Sequence, residues 1–479
     1  MLTFCGCIAL LVAGYAVYGA WMERIFGVNA GRSTPAVAMP DGVDYVPMPW
    51  WRVFLIQFLN IAGLGPIFGA IMGVMYGPAA FLWIVLGTIF GGAVHDYFSG
   101  MMSVRSNGAS LPELVGRELG AGIRQFMRLF SVLLMILVGA VFISGPAGLL
   151  AGLTPGAGTA VWTVVIFTYY ILATLLPVDK LIGKIYPFFG AALIFMAAGI
   201  FISLFLNGAP IPELTEGLHN RHPDAGSLHL FPMMFVSIAC GAISGFHATQ
   251  SPMMARCIAN EKYGRRCFYG AMVAEGVVAL IWAAAAASFF GSVEALNAYV
   301  TGLPATANKA AEVVNLIAGT WLGRLGGLLA ILGVVAAPIT SGDTALRSAR
   351  LIVADFMHLD QKPLSRRLLI SVPIFILTFL VLNINFDVLW RYFAWCNQTL
   401  AVFTLWSVTV YLRRHRRLYA VALLPALFMT CVTSTYLLAA ARPEGFGLAY
   451  EVALAAGIAL TAATLALFLK KKNGTRNEE

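Results

Sequence analysis

The chain has 479 residues, 59% of them hydrophobic and only 11% charged. A soluble globular protein carries about 25% charged residues, so this composition excludes a soluble domain and leaves a polytopic membrane protein. The formal charge of +9 is spread over short loops, as the positive-inside rule produces, and not gathered into a patch that would bind nucleic acid.

In chain order, runs of the roughly 20 apolar residues needed to cross a bilayer predict about thirteen spans. They cover 2–20, 51–75, 79–101, 129–152, 159–178, 187–206, 230–255, 268–290, 318–342, 369–385, 389–412, 419–440 and 447–469. The first is read as a genuine span because Met1–Cys5 lacks the positive region of a cleaved signal peptide. With the 21–52 loop in the cytoplasm, alternation places all but five of the 31 Lys and Arg residues on the cytoplasmic side. The five are Arg221, Lys309, Arg324, Arg391 and Arg442. The expected topology is therefore N-terminus outside and C-terminus cytoplasmic, in a cell inner membrane.

Two spans are interrupted. Asn60-Ile61-Ala62-Gly63-Leu64-Gly65-Pro66-Ile67-Phe68-Gly69 puts three glycines and a proline into the second. Cys240-Gly241-Ala242-Ile243-Ser244-Gly245-Phe246-His247 opens the seventh, with Pro252 beyond it. Lipid cannot satisfy opened backbone, so such breaks survive only beside protein or a water-filled cavity. Five spans separate the breaks and their directions are opposite, which is the pattern of an inverted repeat. The expected fold is all-α, a LeuT-type (APC superfamily-like) 5+5 inverted repeat with one N-terminal and two C-terminal extra helices. Its parts are 1–50 (first span and loop), 51–206 (repeat A), 230–412 (repeat B) and 413–479 (two helices and a basic tail).

Several motifs resemble the carbon starvation CstA family of transporters. They include Thr34-Pro35-Ala36-Val37, Asp41-Gly42-Val43-Asp44-Tyr45-Val46-Pro47, Ile61-Ala62-Gly63-x-Gly65-Pro66 and Gly92-Ala93-Val94-His95-Asp96. Cys240-Gly241-Ala242-Ile243-Ser244-Gly245-Phe246-His247-Ala248, Asp343-Thr344-Ala345-Leu346-Arg347 and Asn397-Gln398-Thr399-Leu400-Ala401 continue the series. Long members carry a His-His pair where this chain has Ile56-Gln57, and this chain is shorter, so it resembles a compact branch. The resemblance implies uptake of peptides during nutrient limitation, or proton-coupled uptake of pyruvate.

Unwound backbone offers N–H groups to a carboxylate and C=O groups to a cation. Gly63, Gly65 and Gly69 with Gly241 and Gly245 are therefore the leading substrate-site candidates, against the alternative of close helix packing through small residues. Gln57, Asn60, His247, Asn397 and Gln398 are further substrate candidates; each can instead bond a neighbouring helix. Ionisable residues inside spans are functional hypotheses by default. The candidates for a coupling ion, H⁺ or Na⁺, are Asp343 with Thr340, Ser341 and Thr344, and then His95, Asp96 and Glu275. Asp343 can also simply pair with Arg347, four residues on. His219, His222 and His229 are spaced too loosely for a metal cluster, and no cofactor is expected. The function expected is a secondary transporter importing a small carboxylate-bearing nutrient, not an enzyme. The alternatives are a Na⁺-coupled symporter, a nutrient-gated channel or a membrane nutrient sensor.

Overall fold

A computed structural model describes residues 1–470 except Val43, Pro155, Leu176, Pro177, Ala209, Ala305, Thr306, Asp360 and Lys362, and gives no side-chain account of 174–187, 324–325 and 329–330. The expectations for Lys180, Lys184, Arg324, Lys362, Lys471, Lys472 and Arg476 lie outside the described residues.

Among the described residues the regular elements are helices. In order the main elements are α1 (Leu2–Phe26), α2 (Trp50–Ile61), α3 (Gly65–Val74), α4 (Ala79–Arg105), α5 (Leu111–Leu119) and α6 (Ala121–Leu153). Then come α7 (Thr159–Leu175), α8 (Val178–Leu206), α9 (Phe235–Ser237), α10 (Gly245–Ala255), α11 (Glu261–Phe289) and α12 (Val293–Gly302). The last five are α13 (Lys309–Met357), α14 (Leu364–Val381), α15 (Phe386–Arg414), α16 (Ala420–Ala439) and α17 (Tyr450–Lys470).

Among the described residues, nine helices are long and apolar enough to cross a membrane, or ten if the bent pair α2–α3 is one span. The three further spans expected from sequence correspond to α7, which has 17 residues, to the pieces α9 and α10, and to α15, whose 29 residues include Asn397 and Gln398.

Burial separates two kinds of helix. The apolar windows of α4 and α11 are each 83% buried, whereas those of α1 and α17 are 22% and 17% buried. A helix that is apolar all round and buried belongs to the bundle core; one that stays exposed faces lipid. The core gathers α2, α3, α4, α6, α10, α11, α13 and α15, and the site lies among these.

Several expected boundaries shift, and one of them moves a candidate residue. The ninth span was expected to close at 342, but α13 runs on to Met357. Asp343 therefore sits within the helix rather than at its end. Arg347 and Arg350, which depress hydropathy beyond 342, are themselves buried at 2% and 3% exposure. The helix is interrupted instead at Gly323, whose φ of 66° lies in the left-handed region that glycine enters without a Cβ penalty.

Candidate functional site

The first break begins where Ala62 leaves helical geometry, with φ −77° and ψ 49°. Helix resumes at Gly65 with Pro66 in its first turn, where a missing N–H costs nothing. The two halves meet at a 55° bend. The freed carbonyl of Leu59 is met by hydroxyls from α13: Thr340 Oγ1 at 3.3 Å and Ser341 Oγ at 3.0 Å. Both hydroxyls also reach Ala337 O, at 2.7 and 3.0 Å, so four oxygens converge beside the break. Thr344 turns away, its hydroxyl donating to Thr340 O at 3.1 Å or Ser341 O at 3.0 Å on its own helix.

Gln57 and Asn60, on the last two turns of α2, are fully buried. Gln57 Nε2 donates to Ser251 Oγ of α10 at 3.4 Å. Its Oε1, and both polar side-chain atoms of Asn60, find no hydrogen-bond partner. Buried amides normally satisfy their bonds, so these two stand out among the buried polar groups near the break.

The second break runs from Ile238, with φ −91° and ψ 56°, to Ser244, which is extended at φ −143° and ψ 121°. Its backbone is held by polar side chains from neighbouring helices. Gln398 Nε2 donates to Phe235 O at 2.7 Å, and Thr88 Oγ1 to Gly241 O at 3.1 Å. Asn397 Oδ1 accepts from Phe246 N at 2.6 Å and Ser244 Oγ at 3.0 Å. Asn397 Nδ2 points to Cys240 Sγ at 3.3 Å. Asn397 and Gln398 thus hold the second break in this conformation, while Gln398 Oε1 finds no hydrogen-bond partner.

The breaks touch each other. A Cβ placed on Gly65 would lie 2.1 Å from Cys240 Cβ, and one on Gly69 would lie 2.8 Å from Ser237 O. A Cβ on Gly241 would meet Ala279 Cβ at 2.6 Å, and one on Gly245 would meet Ala401 N and Asn397 O at 2.4 Å. Gly63 faces the Phe142 ring, at 2.7 Å on the same measure. In this conformation all five glycines meet protein.

Four ionisable side chains singled out separately in the sequence form one chain, each fully buried. Asp96 Oδ1 lies 2.7 Å from His95 Nδ1, and Asp96 Oδ2 lies 2.8 Å from His247 Nδ1. His247 Nε2 lies 3.3 Å from Glu275 Oε2, within ion-pair reach but not aligned as a hydrogen bond. The chain joins α4, α10 and α11. Asp343 stands apart from it: its carboxylate lies 3.8 Å from Arg347 Nη2 and accepts no hydrogen bond, while Arg347 also donates to Ala173 O at 3.0 Å.

Two contributors escaped the sequence reading. Thr88 looks like one more packing residue in an apolar span. The Tyr170 hydroxyl, which lies 2.9 Å from Phe142 O and 3.0 Å from Pro338 O, has no local motif; only Pro146, inside a helix, signals that the carbonyl four residues before it, Phe142 O, lacks its helical partner. The loop histidines serve local structure. His222 Nδ1 accepts from Asp224 N at 3.1 Å, and His229 stacks on Tyr450 at 3.8 Å. Burial lowers the pKa of His222, in keeping with a neutral ring whose Nδ1 is an acceptor.

The carbon starvation protein CstA profile matches residues 1–161 and 154–327. An uncharacterized membrane protein of Haemophilus influenzae is 44% identical over 346 residues, 62% of this chain and 93% of its own length. The peptide transporter CstA of Bacillus subtilis is 30% identical over 341 residues, 58% of this chain and 56% of that one. The pyruvate/proton symporter BtsT of Escherichia coli is 29% identical over 364 residues, 62% of this chain and 51% of that one. The chain spans about half the length of these two transporters. Among solved structures, a manganese transporter of Eremococcus coleocola superposes with a TM-score of 0.55 at 13% identity, covering 90% of this chain and 98% of that one. MhsT in complex with L-phenylalanine gives 0.53 at 15% identity, covering 87% and 97%. These likenesses carry the fold, which is that of LeuT-type transporters.

Proposed function

Since the chain belongs to the carbon starvation CstA family, we propose that this multi-pass membrane protein is a secondary transporter that imports a small carboxylate-bearing nutrient, a short peptide or a pyruvate-like acid, driven by protons. The observation that carries this reading is the meeting of two broken helices at Gly65 and Cys240, with a buried titratable chain that includes His247 of the second. Relatives named as a peptide transporter and a pyruvate/proton symporter support the substrate classes and the proton. The substrate site comprises Gly63, Gly65, Gly69, Gly241 and Gly245 together with Gln57 and Asn60, whose unmet amide groups are the first hydrogen-bonding positions a ligand would find. Since all five glycines now face protein, binding requires the breaks to part, which alternating access supplies.

A second reading of the coupling ion has an observation behind it. Leu59 O, Ala337 O, Thr340 Oγ1 and Ser341 Oγ make an oxygen-rich set beside the first break, a donor type suited to a hard cation such as Na⁺. Proteoliposomes separate the two. Labelled pyruvate and labelled dipeptide are offered under an imposed pH gradient and, separately, under a Na⁺ gradient. Accumulation of either label on the pH gradient alone is expected. Accumulation on the Na⁺ gradient alone would overturn proton coupling, and equilibration without accumulation on either would point to a channel.

The protein is placed in the inner membrane with its N-terminus outside and its C-terminus in the cytoplasm, a reading supported by the basic asymmetry and by bacterial relatives that are transporters.

A further inference from the structure

We propose that the coupling proton is carried at the contact between His247 Nε2, on the second broken helix, and Glu275 Oε2 of α11, with Asp96 as the group that orients the imidazole to receive it. This rests on the transporter reading above and adds the site of the proton.

Hydrogen-bonding chemistry fixes the arrangement. With Asp96 ionised, its carboxylate only accepts, so it takes Nδ1–H from both His95 at 2.7 Å and His247 at 2.8 Å. A neutral His247 holding its proton on Nδ1 then turns the lone pair of Nε2 toward Glu275 Oε2, 3.3 Å away. A lone pair facing an ionised carboxylate is repulsive. The contact is favourable when one proton sits on either side of it, as imidazolium against carboxylate or as imidazole against carboxylic acid. With both carboxylates ionised and both imidazoles neutral, the fully buried chain would carry two negative charges; each proton taken up removes one. Low-dielectric surroundings favour the neutral count.

The chain is also unfinished in a way that a structural network is not. His95 Nε2 at one end and both oxygens of Glu275 at the other accept or donate no hydrogen bond. A half-satisfied buried network is a liability for stability; open ends are what a group that takes and releases protons needs. Among the described residues the Cys240 thiol, in the break itself, is a further titratable group near both carboxylates.

The contact is tied to the proposed substrate site by bonded neighbours. His247 is the third residue of α10, two beyond Gly245. Its carbonyl accepts from Ser251 Oγ at 3.0 Å, and Ser251 Oγ accepts from Gln57 Nε2 at 3.4 Å. Gln57 lies one helical turn from Asn60. A ligand that engages the open amides of α2 therefore pulls on the half-helix whose position sets the His247–Glu275 distance. The step balances simply. One proton enters on Glu275 or His247, travels with the closed site, and leaves to the other side when α10 moves away from α11.

The test offers labelled dialanine or labelled pyruvate to proteoliposomes that hold an entrapped pH dye, preloaded with the same unlabelled compound for counterflow, comparing wild type, Glu275→Gln and Glu275→Asp, with protein-free vesicles as background. One pH unit is worth about 1.4 kcal/mol, so a one-proton symporter concentrates substrate about tenfold on a one-unit gradient. Wild type is expected to reach this and to give a substrate-dependent proton signal. Glu275→Gln is expected to keep label counterflow at equal pH, to lose accumulation and to lose the dye signal; Glu275→Asp is expected to recover part of both. Accumulation by Glu275→Gln equal to wild type would overturn the proton site and leave the transporter reading standing. Loss of counterflow in both Glu275 variants would make Glu275 a packing residue and overturn it too. Absence of counterflow in wild type with either probe would overturn the transport reading itself.

Discussion

Asn397 uses three bonds to hold the second break, accepting from Phe246 N and Ser244 Oγ and pointing its amide to Cys240 Sγ. Asn397→Leu would leave the Phe246 N–H buried and unmet. The expected loss is about 1–3 kcal/mol, read as a lower melting temperature in detergent; Asn397→Asp keeps the acceptor and is expected to melt closer to wild type. Unchanged melting with weakened substrate binding would return Asn397 to the substrate. Asp343 invites the contrasting experiment. Its carboxylate faces Arg347 at 3.8 Å inside the bundle, and removing one partner of a buried pair typically costs about 3–5 kcal/mol. Asp343→Asn is therefore expected to lower stability, with Arg347→Gln added to it restoring part of the loss, while accumulation on a pH gradient persists. If accumulation vanishes with melting unchanged, the coupling proton resides at Asp343. At this scale the sequence disclosed the kinds of residue and not their partners. His95, Asp96, His247 and Glu275 each stood out as polar groups in apolar runs. That Asp96 bridges two histidines 152 positions apart in the chain depends on how α4 and α10 cross, which local pattern does not encode.

The broken helices depend on a contact that only glycine allows. A Cβ at Gly65 would meet Cys240 Cβ at 2.1 Å and Cys240 Sγ at 2.3 Å, closer than any side chain can yield without backbone movement. Gly65→Ala is therefore expected to push the two breaks apart, at about 1–3 kcal/mol for overpacking, with a fall in uptake. Cys240→Gly removes the opposing atoms, so the pair Gly65→Ala/Cys240→Gly is expected to regain most of the stability. Gly245 supplies the internal comparison: its neighbours at 2.4 Å are backbone atoms of Ala401 and Asn397, so no single side-chain truncation can rescue Gly245→Ala. Equal rescue at both positions, or none at either, would contradict this picture of the contact. Both breaks were legible in the sequence because glycine and proline at bilayer depth are costly without protein around them. The extent of α13 was not. Charged residues end a hydropathy window, yet the buried guanidinium of Arg347 bonds Ala173 O with the Asp343 carboxylate 3.8 Å away, and that of Arg350 reaches Gln361 at 2.9 Å. Helix can therefore continue where hydrophobicity alone says it should stop.

Contacts between distant loops sort the molecule into two ends. At one end Glu261 holds Arg105 at 3.1 Å and Arg32 at 3.9 Å, Arg414 holds Glu118 at 2.9 Å, and Met48 N bonds Cys257 O at 3.0 Å. The segments thus gathered, around 26–48, 105–118, 257–261 and 414, are those that the basic asymmetry assigned to one side. At the other end Arg221 meets Glu216 at 3.1 Å and Glu294 at 3.5 Å, Asn297 bonds Met75 O at 3.1 Å, and Glu213 accepts from Leu2 N at 2.9 Å. Arg391 pairs with Glu444 at 2.7 Å. Sequence alternation and tertiary contact therefore divide the loops alike, although one counts charges and the other measures distance. The division does not by itself say which end meets the cytoplasm; the orientation proposed above rests on charge. The second end has few basic residues, and Arg221 and Arg391 there are neutralised by carboxylates, while the first end keeps a large excess of Lys and Arg, which the cytoplasmic side retains during insertion. Ser227 and Leu418 are exposed near the two ends and take no part in the proposed site. With the native cysteines replaced, an impermeant thiol reagent on intact cells is expected to label Ser227→Cys and to spare Leu418→Cys until the membrane is opened. Labelling of Leu418→Cys alone would invert the molecule. Proton entry and exit would then exchange sides, and the same His247–Glu275 contact would have to serve export.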